Sequence, residues 1–245
     1  MTQVLEVRNL SMRFGMVTAA EALEVTVQAG ELVGIIGPNG AGKTSFLNLI
    51  TGYTRPDGGT IKLFGRDISR LSPDQVTALG VGRSFQLFLD MTVMDNVLIA
   101  LGTAEGAGLG WRAQLRQPRR LERASAILGR FDMGHLAGRA VSEIAEGTRK
   151  LLDVALAFAL RPTLLLMDEP TSGVSIDDKF EVMDTLVAVL REEGITAMFV
   201  EHDMEVVRRY SDRVLVLSEG RIIGDGPPED VLSDEAIRRS VAGWH

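Results

Sequence analysis

Gly34-Ile35-Ile36-Gly37-Pro38-Asn39-Gly40-Ala41-Gly42-Lys43-Thr44-Ser45 fits the pattern G-x-x-x-x-G-K-[ST]. Glycines lack a Cβ, so successive backbone N–H groups can curl around a polyphosphate. A helix starting there aims its positive N-terminal end at the same anion. Apolar Leu32–Ile36 reads as a buried strand and Lys43–Ile50 as a helix, which gives the loop a strand-to-helix setting. In this pattern Lys43 reaches the β- and γ-phosphates and the Thr44 hydroxyl is a ligand for Mg²⁺. Residues Gly37 to Ser45 are therefore the candidate binding site for a nucleoside triphosphate.

The chain has 245 residues, 45% of them hydrophobic, enough to bury one full domain or a domain with subdomains. Its net charge of −7 argues against nonspecific binding to nucleic acid. There is no cysteine, so disulfides and thiolate metal sites are excluded. No apolar run approaches the roughly 18–20 residues of a transmembrane helix. The first residues lack the basic-then-apolar pattern of a signal peptide. The expectation is a soluble cytoplasmic protein that touches a membrane only through a partner.

Val4–Val7, Leu23–Val27 and Thr60–Leu63 read as short strands, suggesting a small antiparallel sheet joined to the strand that enters the phosphate loop. Ser72-Pro73-Asp74-Gln75 opens a short helix, with Ser at the N-cap, Pro at N1 and Gln at N3. A strand from Val81 to Gln86 follows, and Thr92 caps a helix through Ala100. Gly102 to Gly110 reads as a flexible glycine-rich loop. Trp111, read as a packing anchor, and Arg112, Arg116, Arg119, Arg120 and Arg123 come next, against Glu122 alone. That stretch reads first as a solvated helix face, with contact to membrane headgroups as the alternative. From Thr148 onward, helices alternate with apolar strands at Leu164–Met167, Ile195–Val200 and Val214–Leu217, the pattern of parallel βαβ units.

Leu164-Leu165-Leu166-Met167-Asp168-Glu169 delivers two carboxylates at the end of an apolar strand, where parallel sheets place their ligands. Asp168 can hold Mg²⁺, and Glu169 can polarise an attacking water. With Pro170-Thr171-Ser172-Gly173 following, the sequence resembles the ATP-binding subunits of ABC transporters over nearly the whole chain. It looks most like the branched-chain amino acid uptake group. That likeness rests on Met12-Arg13-Phe14-Gly15, the phosphate loop, Gly82-Arg83-Ser84-Phe85-Gln86, Met91-Thr92-Val93-Met94-Asp95-Asn96-Val97 and Val200-Glu201-His202-Asp203-Met204.

The resemblance implies an α/β fold: a P-loop NTPase core of parallel strands with an antiparallel β subdomain (residues 1–86) and an inserted helical subdomain (87–160). Residues 161–245 complete the core and add C-terminal helices. It implies that Phe14 stacks on adenine and that Gln86 contacts Mg²⁺ or the water. It implies that Glu169 is the general base, that His202 hydrogen-bonds the γ-phosphate, and that Ser172–Ser175 crosses to a second subunit. Relatives carry Leu-Ser-Gly-Gly-Gln or a near variant at a helix N-terminus, where it grips the opposite subunit's γ-phosphate. Here the segment is Val141-Ser142-Glu143-Ile144-Ala145-Glu146-Gly147-Thr148. Aligning Ser142 with the serine puts branched Ile144 at the essential glycine. Aligning Ala145 keeps Gly147 there, at the spacing to Asp168 usual in the family. The second register is preferred, and it removes the hydroxyl from the grip.

The implied function is hydrolysis of ATP with Mg²⁺ in an importer of branched-chain or other hydrophobic amino acids, or of a related small polar solute. The implied partners are a second ATP-binding subunit head-to-tail, two transmembrane permease subunits and, indirectly, a solute-binding protein. The implied location is the cytoplasmic face of the inner membrane, peripherally bound. The rival readings are a soluble ATPase of the same type and a nucleotide-dependent regulatory module.

Overall fold

The structure, a computed structural model, describes residues 2–83, 87–105, 115–176 and 178–241. The chain divides into two units, one of Met1–Val81, Thr163–Pro170 and Gly194–His245, the other of Gly82–Pro162 and Thr171–Glu193.

The first unit holds two sheets. β1 (Gln3–Phe14), β2 (Val17–Gln28), β4 (Gly58–Leu63) and β5 (Arg66–Asp67) form an antiparallel sheet in the order β2-β1-β4-β5. The second sheet runs β10 (Arg221–Gly226), β9 (Arg213–Ser218), β3 (Leu32–Ile36), β8 (Thr196–Val200), β7 (Leu164–Asp168), with β6 (Val81–Arg83) at its edge. β3 pairs in parallel with both β8 and β9, and β7 in parallel with β8. Every residue of β3 and β8 is buried, which is why these strands read as unbroken apolar runs rather than alternating ones. The strand entering the phosphate loop thus belongs to the parallel sheet. It meets the antiparallel one by packing: Val7, Leu10 and Val25 share a core with Val33, Ile35, Leu166 and Leu217. α1 (Lys43–Ile50) supplies Phe46, Leu47 and Ile50 to the same core.

The short helix α2 (Pro73–Ala78) carries the expected capping box: Ser72 Oγ accepts from Gln75 N–H, and Gln75 Oε1 accepts from Ser72 N–H. α7 (Met204–Tyr210) is capped by Asp203, whose carboxylate accepts from the Glu205 and Val206 amides. α8 (Pro228–Ser233) and α9 (Glu235–Val241) close the unit.

The second unit is built from α3 (Val93–Ala104), α4 (Pro118–Arg130), α5 (Glu146–Ala159) and α6 (Asp178–Glu192). Phe131 meets Phe158 edge to face, with ring centroids 5.7 Å apart. Two expectations change here. α3 continues through Gly102 rather than ending before it; a Cβ on Gly102 would sit 3.4 Å from Leu115 Cδ2, so the glycine serves close packing inside a helix. Three arginines of the insertion are paired within the chain, while Arg119 is exposed as a solvated face would have it. Arg120, 6% exposed, and Arg123 both pair with Glu105, and Arg116 pairs with Asp95 at 2.7 Å. Trp111 and Arg112 lie outside the described residues. No helix among the described residues is long and apolar enough to cross a membrane.

Candidate functional site

The phosphate loop spans the C-terminal end of β3 and the N-terminus of α1, in the first unit. Two of its glycines are held by the fold itself. A Cβ on Gly37 would lie 2.0 Å from the Leu217 carbonyl oxygen, and one on Gly42 would lie 2.2 Å from that of Ala19. Gly40 differs: nothing stands within 4 Å of the position its Cβ would take. α1 has no side-chain cap, so its first N–H groups are left to the loop and its ligand. Asn39 and Gly40 are exposed at the tip, and Ala41 is buried beneath it.

Lys43 is 7% exposed, and its ammonium donates to the carbonyls of Gly37 and Pro38. Burial holds it below the usual lysine range, and the charges of Glu169 and Asp168 oppose that shift. Asp168 ends β7, and Glu169 follows with φ 54°, a left-handed conformation unusual for a side chain of this size. The Glu169 N–H donates to Val200 O at 2.9 Å, and the Glu201 N–H donates to Ile35 O at 3.2 Å. These bonds tie together the C-terminal ends of β3, β7 and β8. His202 lies just past β8, and its Nε2 is 2.6 Å from Glu169 Oε1. An ionised carboxylate only accepts, so Nε2 carries the proton in this pair.

Phe14 ends β1 and is 50% exposed, beside fully exposed Met16, which presents an apolar hairpin tip. Gln86 lies outside the described residues.

The Ala145–Gly147 segment belongs to the second unit and is described within it. Val141–Glu143 forms a 3₁₀ turn, and α5 begins at Glu146. Ala145 is the N-cap residue, with φ −63°, ψ 154° and no side-chain cap hydrogen bond. Ser142 sits in the preceding turn, with its N–H donating to Leu89 O. Gly147 has a role inside its own chain that sequence reading did not find. A Cβ there would come within 3.0 Å of Val182 Cγ2 and 3.3 Å of Val174 Cγ1. Two further residues were missed. Asn96, 1% exposed, clamps the loop before α3 by bonding Phe88 N–H, Phe88 O and Thr92 O. Arg149 reaches back to Val141 O and Ser142 O. An Asn amid apolar helix positions was a readable signal; the arginine offered none.

The family model described as ABC transporter matches residues 20–172. The chain is 36% identical over 250 residues to the high-affinity branched-chain amino acid transport ATP-binding protein LivG of Salmonella typhimurium, covering 98% of each. It is 33% identical to BraF of Pseudomonas aeruginosa, a protein of the same description, again over 98% of both. Among solved structures it resembles an ATP-binding cassette of an ABC transporter in its ADP conformation, with TM-score 0.89, 28% identity and 99% and 100% of the two chains covered. A nucleotide-free cassette gives TM-score 0.86 at 29% identity, over 96% and 97%.

Proposed function

The chain belongs to the ABC transporter family, and from that premise we propose that it is the ATP-hydrolysing subunit of an importer of branched-chain or related hydrophobic amino acids. The observation that carries the hydrolytic reading is the His202–Glu169 pair, 2.6 Å apart at the ends of neighbouring parallel strands, in the unit that holds the phosphate loop. The amino acid reading is supported by relatives described as branched-chain amino acid transport ATP-binding proteins over almost the whole chain.

In this reading Phe14 stacks on adenine. The N–H groups of Gly37 to Ser45 wrap the phosphates, and Lys43 leaves the Gly37 and Pro38 carbonyls for the β- and γ-phosphates. Glu169 accepts a proton from the attacking water as oxygen bonds the γ-phosphorus and the bond to the β-phosphate oxygen breaks. His202 fixes Glu169 at rest and donates to the γ-phosphate when ATP is present. Thr44 and Asp168 offer hard oxygen donors of the kind Mg²⁺ takes, and the charge of Asp168 acts on Lys43. Gln86 is the third candidate ligand. A Mg²⁺ held by these residues would supply positive charge against the phosphates.

Two ATP-binding subunits, identical or paralogous, pair head-to-tail, each completing the other's site through Ala145 and Gly147 at the start of α5. Permease subunits contact the loop from Phe88 to Met91, whose apolar side chains are exposed. That contact holds the protein at the cytoplasmic face of the inner membrane. A solute-binding protein is an indirect partner. Arg120 and Arg123 of α4 are already engaged with Glu105, and Arg116 before the helix with Asp95, so these three are not needed for the membrane contact.

The test compares two variants. Glu169→Gln lowers turnover by roughly 10²–10⁴-fold while keeping ATP binding, and Lys43→Ala removes the binding. Turnover in Glu169→Gln within a few-fold of the parent would refute the assignment of the base.

A further inference from the structure

Two consecutive residues, Val141 and Ser142, are gripped from both sides. On one side their N–H groups donate to the exposed loop, Val141 N–H to Met91 O at 3.0 Å and Ser142 N–H to Leu89 O at 2.9 Å. On the other side their carbonyls accept from one guanidinium, Arg149 Nε to Val141 O at 3.0 Å and Arg149 Nη2 to Ser142 O at 2.8 Å. Arg149 stands in the first turns of α5, and its Nη1 also meets Glu146 Oε2 at 3.2 Å. A cation near a helix N-terminus opposes the helix dipole, so dipole preference gives no reason for an arginine here. The three acceptors do.

The loop on the far side is held by a buried side chain. Buried Asn96 bonds both the N–H and the carbonyl of Phe88, and also Thr92 O, while Phe88, Leu89 and Met91 project outward at 47%, 48% and 38% exposure. Below the loop, Val93 N–H donates to Arg139 O and Met94 N–H to Ala137 O, extending the same ladder. A force on the apolar side chains therefore has few soft places to dissipate before it reaches Val141 and Ser142. Hydrogen bonds weaken steeply with angle, so displacement of those two peptides pulls directly on the Arg149 fork.

We propose that Arg149 is a positioning residue that makes Val141–Ser142 a rigid relay between the Phe88–Met91 loop and the N-terminus of α5. This rests on the reading that the loop meets the permease and that Ala145 and Gly147 complete a partner's ATP site. Arg149 does not touch ATP. It sets the angle at which the α5 N–H groups are presented, and so how far the permease stimulates hydrolysis.

The experiment uses Arg149→Met, which keeps the aliphatic stem, and Arg149→Lys, which keeps the charge without the fork. In the complex co-purified with its permease subunits, Arg149→Met is expected to lose about tenfold in kcat with KM for ATP within about twofold, and Arg149→Lys to lose less. The isolated subunit keeps its basal rate and its affinity for a fluorescent ATP analogue. Amide hydrogen exchange at Val141 and Ser142 accelerates in Arg149→Met. Stimulated kcat within about twofold of the parent despite faster exchange overturns the relay. An equal fall in basal and stimulated rates overturns it as well, by making Arg149 merely structural. A parent complex in which the permease does not stimulate ATP turnover refutes the permease reading itself, a result separable because it appears without any substitution.

Discussion

Ala145→Ser is the substitution in which the structure makes two separable demands. The backbone at Ala145 already has the extended dihedrals of an N-cap, φ −63° and ψ 154°, and the residue is exposed, so a serine fits without rearrangement. The parent side chain makes no cap bond. A serine hydroxyl there accepts from an N–H in the first turn of α5, which is worth about 1 kcal/mol. For a chain of this length that raises Tm by about 2–4 °C. The assay is urea unfolding of the isolated chain followed by helix signal, with the midpoint moving up and the slope unchanged. The second demand concerns the partner's nucleotide. A hydroxyl bonded to a γ-phosphate contributes about 1.5–3 kcal/mol, so the ATP-bound dimer tightens by about tenfold or more. An unchanged or lowered midpoint would refute the placement of the helix start at Glu146. A raised midpoint with no change in dimer affinity would leave the cap intact and refute the phosphate contact.

Two further outcomes follow from the same coordinates. Gly42→Ala forces a Cβ to 2.2 Å from the Ala19 carbonyl at φ 101°, destabilising by about 3 kcal/mol from overlap and left-handed strain together. Gly40→Ala has φ 80° and open space, so it costs only the strain, about 1–2 kcal/mol, and thermal melts of the two variants rank them. Partial burial works against ionisation of Asp95, yet hydrogen bonds from the Thr92 hydroxyl, the Arg116 guanidinium and the Thr92 backbone, with the Arg116 charge, hold its carboxyl below the usual range. Its contribution is therefore complete above about pH 4, the unfolded value, and is lost as pH falls through the lower folded one. Asp95→Asn should lower Tm at pH 7 and flatten the acid side of the stability profile. Equal Tm loss at pH 7 and pH 3 would refute that assignment.

The phosphate loop and the Asp168–Glu169 pair were legible because their chemistry fixes residue types at short spacings. The register at Ala145 rests on a related reason, that a branched Ile144 cannot stand where a backbone must approach closely; in the structure Ile144 is 5% exposed. What escaped the sequence was set by contacts distant along the chain. Gly147 is crowded by Val182, and Arg120 and Arg123 find Glu105 15 and 18 residues away along the chain. Gly102 read as a break because glycine is a poor helix former, and tertiary packing on Leu115 overrode that preference. The left-handed Glu169 could not have been foreseen from residue type, since glutamate rarely adopts it.

The unequal surroundings of the loop glycines bear on how such sequences can drift. Gly37 and Gly42 are required by the carbonyls of Leu217 and Ala19, whatever the protein does with nucleotide. A descendant that had abandoned ATP would still lose stability by replacing either one. Gly40 answers only to its own dihedral angle and to whatever occupies the space before it. In a set of diverged copies, erosion at Gly40 beside intact Gly37 and Gly42 would mark the loss of the ligand, and the familiar glycine pattern alone would not mark its presence.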